Sequence, residues 1–152
     1  MLECFGGDGV IWSLVQERTQ KKINSLRIDL KQDRKGIYLH GNNLKYLSSM
    51  NLQQFDIIDL DAYVSPFNQL QIVFKRAYKG IVHCTFIQSG MGAINHELLE
   101  AIGYSKNMVR KCPTLFSKSG FSKMCDYLFL NGVGHIQSVN LDRKNYFWFK
   151  KF

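Results

Sequence analysis

The chain has 152 residues, 45% of them hydrophobic, which is enough for one domain with a sizeable core and too apolar for a disordered segment. Its 20 Lys and Arg against 12 Asp and Glu give a net charge of +8, which favours a polyanionic partner, RNA or DNA before a membrane. No apolar run approaches the roughly 18 residues that span a bilayer, no secretory leader is recognisable, and Cys4, Cys84, Cys112 and Cys125 are spread out with no C-x-x-C. A cytoplasmic protein with reduced thiols and no metal site is expected.

Met1-Leu2-Glu3-Cys4-Phe5 has the pattern of a short buried strand, and Gly6-Gly7-Asp8-Gly9 follows it directly. Three glycines in four positions let the backbone turn sharply and let a ligand approach without meeting a Cβ. Val10, Ile11, Leu14 and Val15 then recur at helical spacing, so the loop opens a helix. Strand, glycine loop and helix form the opening unit of a nucleotide-binding α/β fold. From Gly7 the loop reads Gly7-Asp8-Gly9-Val10-Ile11-Trp12, with tryptophan where a dinucleotide fingerprint wants a small residue and an acid where a pyrophosphate would lie. A ligand with a ribose and an ammonium group but no phosphate suits Glu3 and Asp8 better, and S-adenosylmethionine is a molecule of that kind.

The second strand spans Ile23 to Leu30, and its Asp29 falls 26 positions after Glu3. That is close to the offset of about 20 residues at which an acid takes the ribose hydroxyls of a nucleotide on the first loop. The link Gln32 to Gly36 is too short for a full helix, so the usual second helix is shortened or missing, or the second and third strands form a hairpin. Gly36 to Gly41 reads as the third strand. Leu44 to Gln54 reads as a helix leading into a fourth strand at Phe55 to Leu60. Asp59 and Asp61 alternate onto one face there, and acids in an apolar strand cost several kcal/mol unless paired or useful.

Phe67 to Tyr78 is the next helix, and Gly80 to Ile87 is a continuous apolar run that reads as a fifth, buried strand, with His83 a core histidine. Gln88-Ser89-Gly90-Met91-Gly92 reads as a loop over the cofactor side and His96 to Ile102 as a short helix. Between Tyr104 and Lys123, Lys106, Arg110, Lys111, Lys118 and Lys123 alternate with Tyr104, Met108, Phe116 and Phe121. This pattern suits phosphates and bases, and it equally suits an ordinary amphipathic helix pair. A helix ending at Asn131-Gly132 and a terminal hairpin, His135 to Val139 with Tyr146 to Phe149, complete the chain.

Two stretches carry a family resemblance. The acid before the Gly-x-Gly turn resembles the first motif of the Rossmann-like S-adenosylmethionine-dependent methyltransferases. Asp59-Leu60-Asp61-Ala62-Tyr63-Val64-Ser65-Pro66 is similar to the Asp-x-Asp-Pro-Phe-Gly-Ser-Pro segment of tRNA guanine-N2 dimethyltransferases, with Tyr63 for Phe, and with Ala62 and Val64 where that family has Pro and Gly. The resemblance implies a single domain over residues 1–152, built on a mostly parallel Rossmann-like methyltransferase sheet with an antiparallel C-terminal hairpin strand and helices on both faces. It implies S-adenosyl-L-methionine as cofactor, held by Glu3, Phe5, Gly6, Gly7, Asp8, Gly9, Asp29, Asn42 and Asp59, with Asn42 on the adenine. Asp61, Tyr63 and Asp59 are then the catalytic set, orienting an exocyclic base amine in a reaction that needs no metal. Ser65, Pro66 and the basic residues Lys106, Arg110, Lys111, Lys118 and Lys123 would meet nucleic acid, RNA before DNA, with target selection from that segment, a homo-oligomer or a partner subunit. Two readings stand beside this one: a catalytically degenerate nucleic-acid-binding or partner subunit of the same fold, and a small-molecule or protein methyltransferase.

Overall fold

The protein is described from a computed structural model, over residues 1–87, 94–112, 114–115, 118–142 and 144–152. One seven-stranded sheet organises it. In chain order the strands are β1 (Leu2–Glu3), β2 (Leu26–Asp29), β3 (Leu39–His40), β4 (Ile57–Leu60), β5 (Gly80–Ile87), β6 (Gln137–Leu141) and β7 (Lys144–Lys151). Their order across the sheet is β3-β2-β1-β4-β5-β7-β6, with the first five parallel and β7 antiparallel to both of its neighbours. The order reverses between β1 and β4, and in open α/β sheets the crevice outside the carboxyl ends of the strands at such a point is where ligands bind.

Alternation along the strands sorts the two faces. Leu2, Ile28, Ile58, Leu60, Val82, Cys84, Phe147 and Phe149 are buried on one side. They pack with residues of α2 (Asn43–Ser49), α3 (Phe67–Lys75), α4 (His96–Ala101), α5 (Lys106–Lys111) and α6 (Gly120–Leu130), among them Leu47, Phe67, Leu70, Leu98, Val109, Met124 and Leu128. Each fully buried side chain of this size contributes about 1.5–3 kcal/mol relative to exposure, so this layer is the stable floor under the strand ends.

The opposite face carries Asp59 and His83, which are register partners on β4 and β5, and it is met by α1 (Val10–Thr19). The helix forms where its spacing predicts, but none of its residues is buried, and Val10 and Ile11 are each 59% exposed.

Between β2 and β3 the structure takes the alternative in which the second helix is missing, and one later element is shorter than expected. The link between β2 and β3 contains no helix, and the strands are parallel rather than a hairpin. A nine-residue link suffices because β3 is only two residues long and the chain turns back at Asp33 (φ 62°) and Gly36 (φ 75°). The expected helix from Leu44 to Gln54 stops at Ser49, because Met50 is extended and Asn51 caps a separate 3-10 turn at Leu52–Gln54. Ser48 and Ser49 return their hydroxyls to the carbonyls of Leu44 and Lys45, a local bond that competes with helix continuation.

Candidate active site

A cavity of about 370 Å³ opens at the carboxyl ends of β1, β2 and β3, beside the chain leaving β4, and is lined by Phe5, Gly7, Asp29, Asn42, Asn43 and Tyr63 among others. Its size is in the range that holds a small molecule or cofactor. Two larger hollows lie elsewhere, one at the amino ends of β1, β2 and β4 beside Met1, Leu26 and Ile57, the other over β5 and β7 beside Ile81 and Trp148. Neither is lined by the Gly6–Gly9 loop or by an acid at the carboxyl end of a strand, so the smaller cavity is the one with that chemistry around it.

The glycine loop is held from below by Arg27 of β2. Its guanidinium donates to the carbonyls of Gly7 (3.4 Å), Lys35 (2.8 Å) and Ile37 (3.2 Å), which joins the loop to the segment after β2. Gly6 lies so close to this side chain that a Cβ there would stand 2.7 Å from the Arg27 Cβ. Gly6→Ala is therefore expected to cost about 1–3 kcal/mol, seen as a fall in melting temperature of several degrees in a circular-dichroism melt. Gly9 (φ 73°) stands at the start of α1 in left-handed backbone, and Gly7 (φ 49°) has open space where its Cβ would be. At Gly7 the bare backbone faces the cavity, which fits an approaching ligand.

Asp29 is the best-connected group on the cavity wall. Its Oδ2 accepts the Gly7 N–H at 3.0 Å and its Oδ1 accepts the Lys31 N–H at 2.7 Å, with Arg34 Nε 3.5 Å from the same oxygen. Burial by itself would raise its pKa. The two backbone donors and the guanidinium outweigh that, and the carboxyl is held below its ordinary value. It is ionised at neutral pH and aimed, with Gly7, at one edge of the cavity.

Asn42 also lines the cavity, but its Oδ1 caps α2 by accepting the Leu44 N–H at 2.9 Å. Beside it are two amides the sequence reading missed. Asn43 donates from Nδ2 to the Cys4 carbonyl at 2.6 Å and accepts at Oδ1 from Gln69 Nε2 at 3.1 Å, which ties β1, α2 and α3 together behind the cavity. The signal for Gln69 was a polar residue on the apolar stripe Phe67-Leu70-Val73 of α3, where it is buried.

Asp61 follows the end of β4 and is half-buried, and Tyr63 stands on the cavity rim with 79% of its surface exposed. The turn between β4 and α3 is fixed by the Ala62 N–H donating to the Leu60 carbonyl (2.8 Å) and the Ile87 N–H donating to the Val64 carbonyl (2.7 Å).

Several residues expected at the site lie off the cavity wall. Asp8 is exposed, accepts the Lys35 N–H at 3.3 Å and faces Arg34 at 3.9 Å. Glu3 and Asp59 are buried on the α1 face of the sheet, as the register Glu3↔Asp59 requires. Burial, reinforced by the Asp59 carboxylate and opposed by a Ser25 hydrogen bond, raises the Glu3 carboxyl. Asp59, expected to hold the cofactor and to serve in catalysis, gives both oxygens to protein partners, Trp12 and His83, and does not line the cavity. Pro66 is buried at the start of α3, and the half-buried Ser65 accepts the Phe67 N–H at 3.3 Å through Oγ, so both shape the helix entry.

Lys106, Arg110 and Lys111 are exposed on α5, and Lys118 is exposed after it. Lys123 is held by Asp126 at 2.6 Å, an ion pair that raises its pKa, and lies over the Tyr104 ring. The expected loop over the cofactor side, at 88–92, and Phe116 lie outside the described residues. Among the described residues no cluster of three His, Cys, Asp or Glu could hold a metal ion, and no helix is long and apolar enough to cross a membrane.

The strand order, the antiparallel β7 and the switch point between β1 and β4 define a Rossmann-like methyltransferase fold. Solved structures share it across the whole chain. The carbon methyltransferase of CurJ aligns over 99% of this chain and 47% of its own, at 10% identity and a TM-score of 0.51. A candidate exported protein from Bordetella parapertussis aligns over 99% and 60%, at 10% identity and 0.52. A candidate S-adenosyl-L-methionine-dependent methyltransferase from Methanococcus maripaludis aligns over 99% and 76%, at 14% identity and 0.50. This chain thus spans about half to three fifths of the length of the first two. No protein-family model and no curated protein matches the sequence.

Proposed function

We propose that this chain is an S-adenosylmethionine-dependent methyltransferase acting on an exocyclic nitrogen of a nucleic-acid base, with an RNA such as tRNA as the substrate. One observation carries the reading. The cavity at the switch point joins Gly7 and the ionised Asp29 on one wall to Tyr63, two residues after Asp61, on its rim. The first pair suits a ribose and the second a flat base.

The lining fits the cofactor. Asp29 accepts from the ribose diol, a task that needs a carboxylate already ionised and pre-oriented. The open backbone at Gly7 would admit the sugar and the methionine chain, and Asn42, on the same lining, would take the adenine edge. When bound, the cofactor supplies an electrophilic methyl on a sulfonium. The protein's part is to orient the nucleophile: an exocyclic amine has a delocalised lone pair, and Asp61 with the Ala62 carbonyl accept its hydrogens so that the lone pair faces the methyl. The exposed Tyr63 ring stacks on the base. Lys106, which also lies 3.9 Å from Glu100, Arg110, Lys111 and Lys118 are the exposed cations for phosphates, and their contribution should fade with added salt.

Isothermal titration with S-adenosylmethionine, S-adenosylhomocysteine and, as control, NADH tests the cofactor half. Micromolar binding of the first two alone is expected. Absence of binding would leave the fold standing and favour the degenerate partner-subunit reading. Transfer of label to a small molecule or protein, with no salt-sensitive RNA binding, would move the substrate away from nucleic acid.

A further inference from the structure

The helix after the glycine loop is attached in an unusual way. An amphipathic helix on a sheet normally holds its place by burying an apolar stripe, yet α1 buries no residue, and Val10, Ile11 and Leu14 face outward. Near its start, its contact with the sheet runs through the half-buried Trp12. The indole Nε1–H donates to Asp59 Oδ2 at 2.6 Å, and the ring meets His83 edge-on with centroids 6.1 Å apart. His83 in turn donates from Nδ1 to the other Asp59 oxygen at 2.8 Å, the tautomer being set by the carboxylate partner. Asp59 is buried on β4, in register with Glu3 of β1 on one side and His83 of β5 on the other. A carboxylate kept in such a place is costly unless its hydrogen bonds are satisfied, and Trp12 and His83 satisfy it.

Trp12 is three residues after Gly9 and five after Gly7, whose N–H is placed against Asp29 on the cavity wall. Farther along α1, Gln16 Oε1 accepts the Ile23 N–H at 2.8 Å, but Trp12 is the anchor in the first turn, and a helix without a buried stripe transmits the position of that anchor to the loop that opens it.

We infer that Trp12, Asp59 and His83 form a tether that positions the glycine loop for cofactor binding, so that three residues with no place on the cavity wall set its affinity. They are positioning residues acting through the backbone of Gly6 to Gly9. The inference rests on the cofactor reading above, and it assigns Asp59 a different role from the one its motif implies. It also accounts for the tryptophan that breaks the dinucleotide pattern: the position is filled by a donor long enough to reach β4.

The test compares Trp12→Phe, which keeps a ring and loses the N–H, with Asp59→Asn, whose amide keeps an acceptor for the indole while His83 takes its other tautomer. Hydrogen exchange is measured on the free proteins and S-adenosylhomocysteine affinity by calorimetry. In Trp12→Phe, amides of residues 6–13 should exchange about tenfold faster with β5 and β7 unchanged, and Kd should rise about tenfold. Asp59→Asn should leave both within about threefold of wild type. Unchanged exchange in the loop, equal acceleration throughout the sheet, or faster loop exchange with an unchanged Kd would each overturn the tether. If the wild-type protein binds no S-adenosylhomocysteine, the cofactor reading fails, and the claim that the tether serves an affinity fails with it. Local exchange would then show only that Trp12 holds the loop.

Discussion

Asp61→Ala is expected to lower methyl transfer to unfractionated tRNA by about 10²-fold or more while S-adenosylhomocysteine binds within about threefold of wild type. The split follows from where the residue sits. Asp61 comes just after β4, half-buried, in a turn whose backbone is fixed by Ala62, Val64 and Ile87, and it does not line the cavity that the cofactor would fill. Its proposed work is done on the amine: a base nitrogen whose lone pair is spread into the ring attacks well only when its hydrogens are held, and a fixed carboxylate holds them without reorganising in the transition state. Asp61→Asn keeps one acceptor and loses the charge, so it should fall between wild type and alanine. Radiolabelled methyl transfer and calorimetry on the same preparations provide the check. Activity intact in the alanine variant would remove Asp61 from the chemistry.

The sheet was legible because its strands announce themselves locally. Gly80 to Ile87 is a continuous apolar run and became a strand with those bounds, and the terminal pair followed from alternation around a polar turn at Asp142. Asp29 could be placed from its offset alone, since the glycine loop and the end of the second strand are neighbours in any parallel βαβ unit. Hidden from the sequence were relations between distant residues. Periodicity shows which residues of α1 share a side, but says nothing of whether another element covers that side, and here Val10, Ile11 and Leu14 stay outside. An acid in an apolar strand signals a partner or a use. For Asp59 the partners are Trp12 and His83, 47 and 24 residues away, which no local pattern links to it. The Asn43–Gln69 bond behind the cavity and the reach of Arg27 under the glycine loop were hidden for the same reason.

Asp29→Ala should act on the other half of the reaction, raising the Kd for S-adenosylhomocysteine by about 10- to 100-fold, the loss expected for one or two charge-assisted hydrogen bonds. The variant also strips the Gly7 and Lys31 N–H groups of their acceptor and leaves Arg34, among the described residues, only the Asp8 carboxylate at 3.9 Å. Asp29→Asn separates the two effects: an amide oxygen can still accept one of the backbone donors, so the loop keeps part of its shape while the charge is gone. The pH dependence has a definite sign. The folded protein holds the Asp29 carboxyl below its ordinary value, so its stabilising contribution is fully present above about pH 4 and is lost as pH falls below that through the lowered folded-state value. Wild-type affinity should therefore be insensitive to Asp29 titration from pH 8 down to about pH 5, and the ratio of wild-type to Asp29→Asn affinity should stay constant across that range. A ratio that shrank between pH 7 and pH 5 would mean that Asp29 takes up a proton there, and that the two backbone donors and Arg34 do not hold it ionised. The ribose would then need another acceptor.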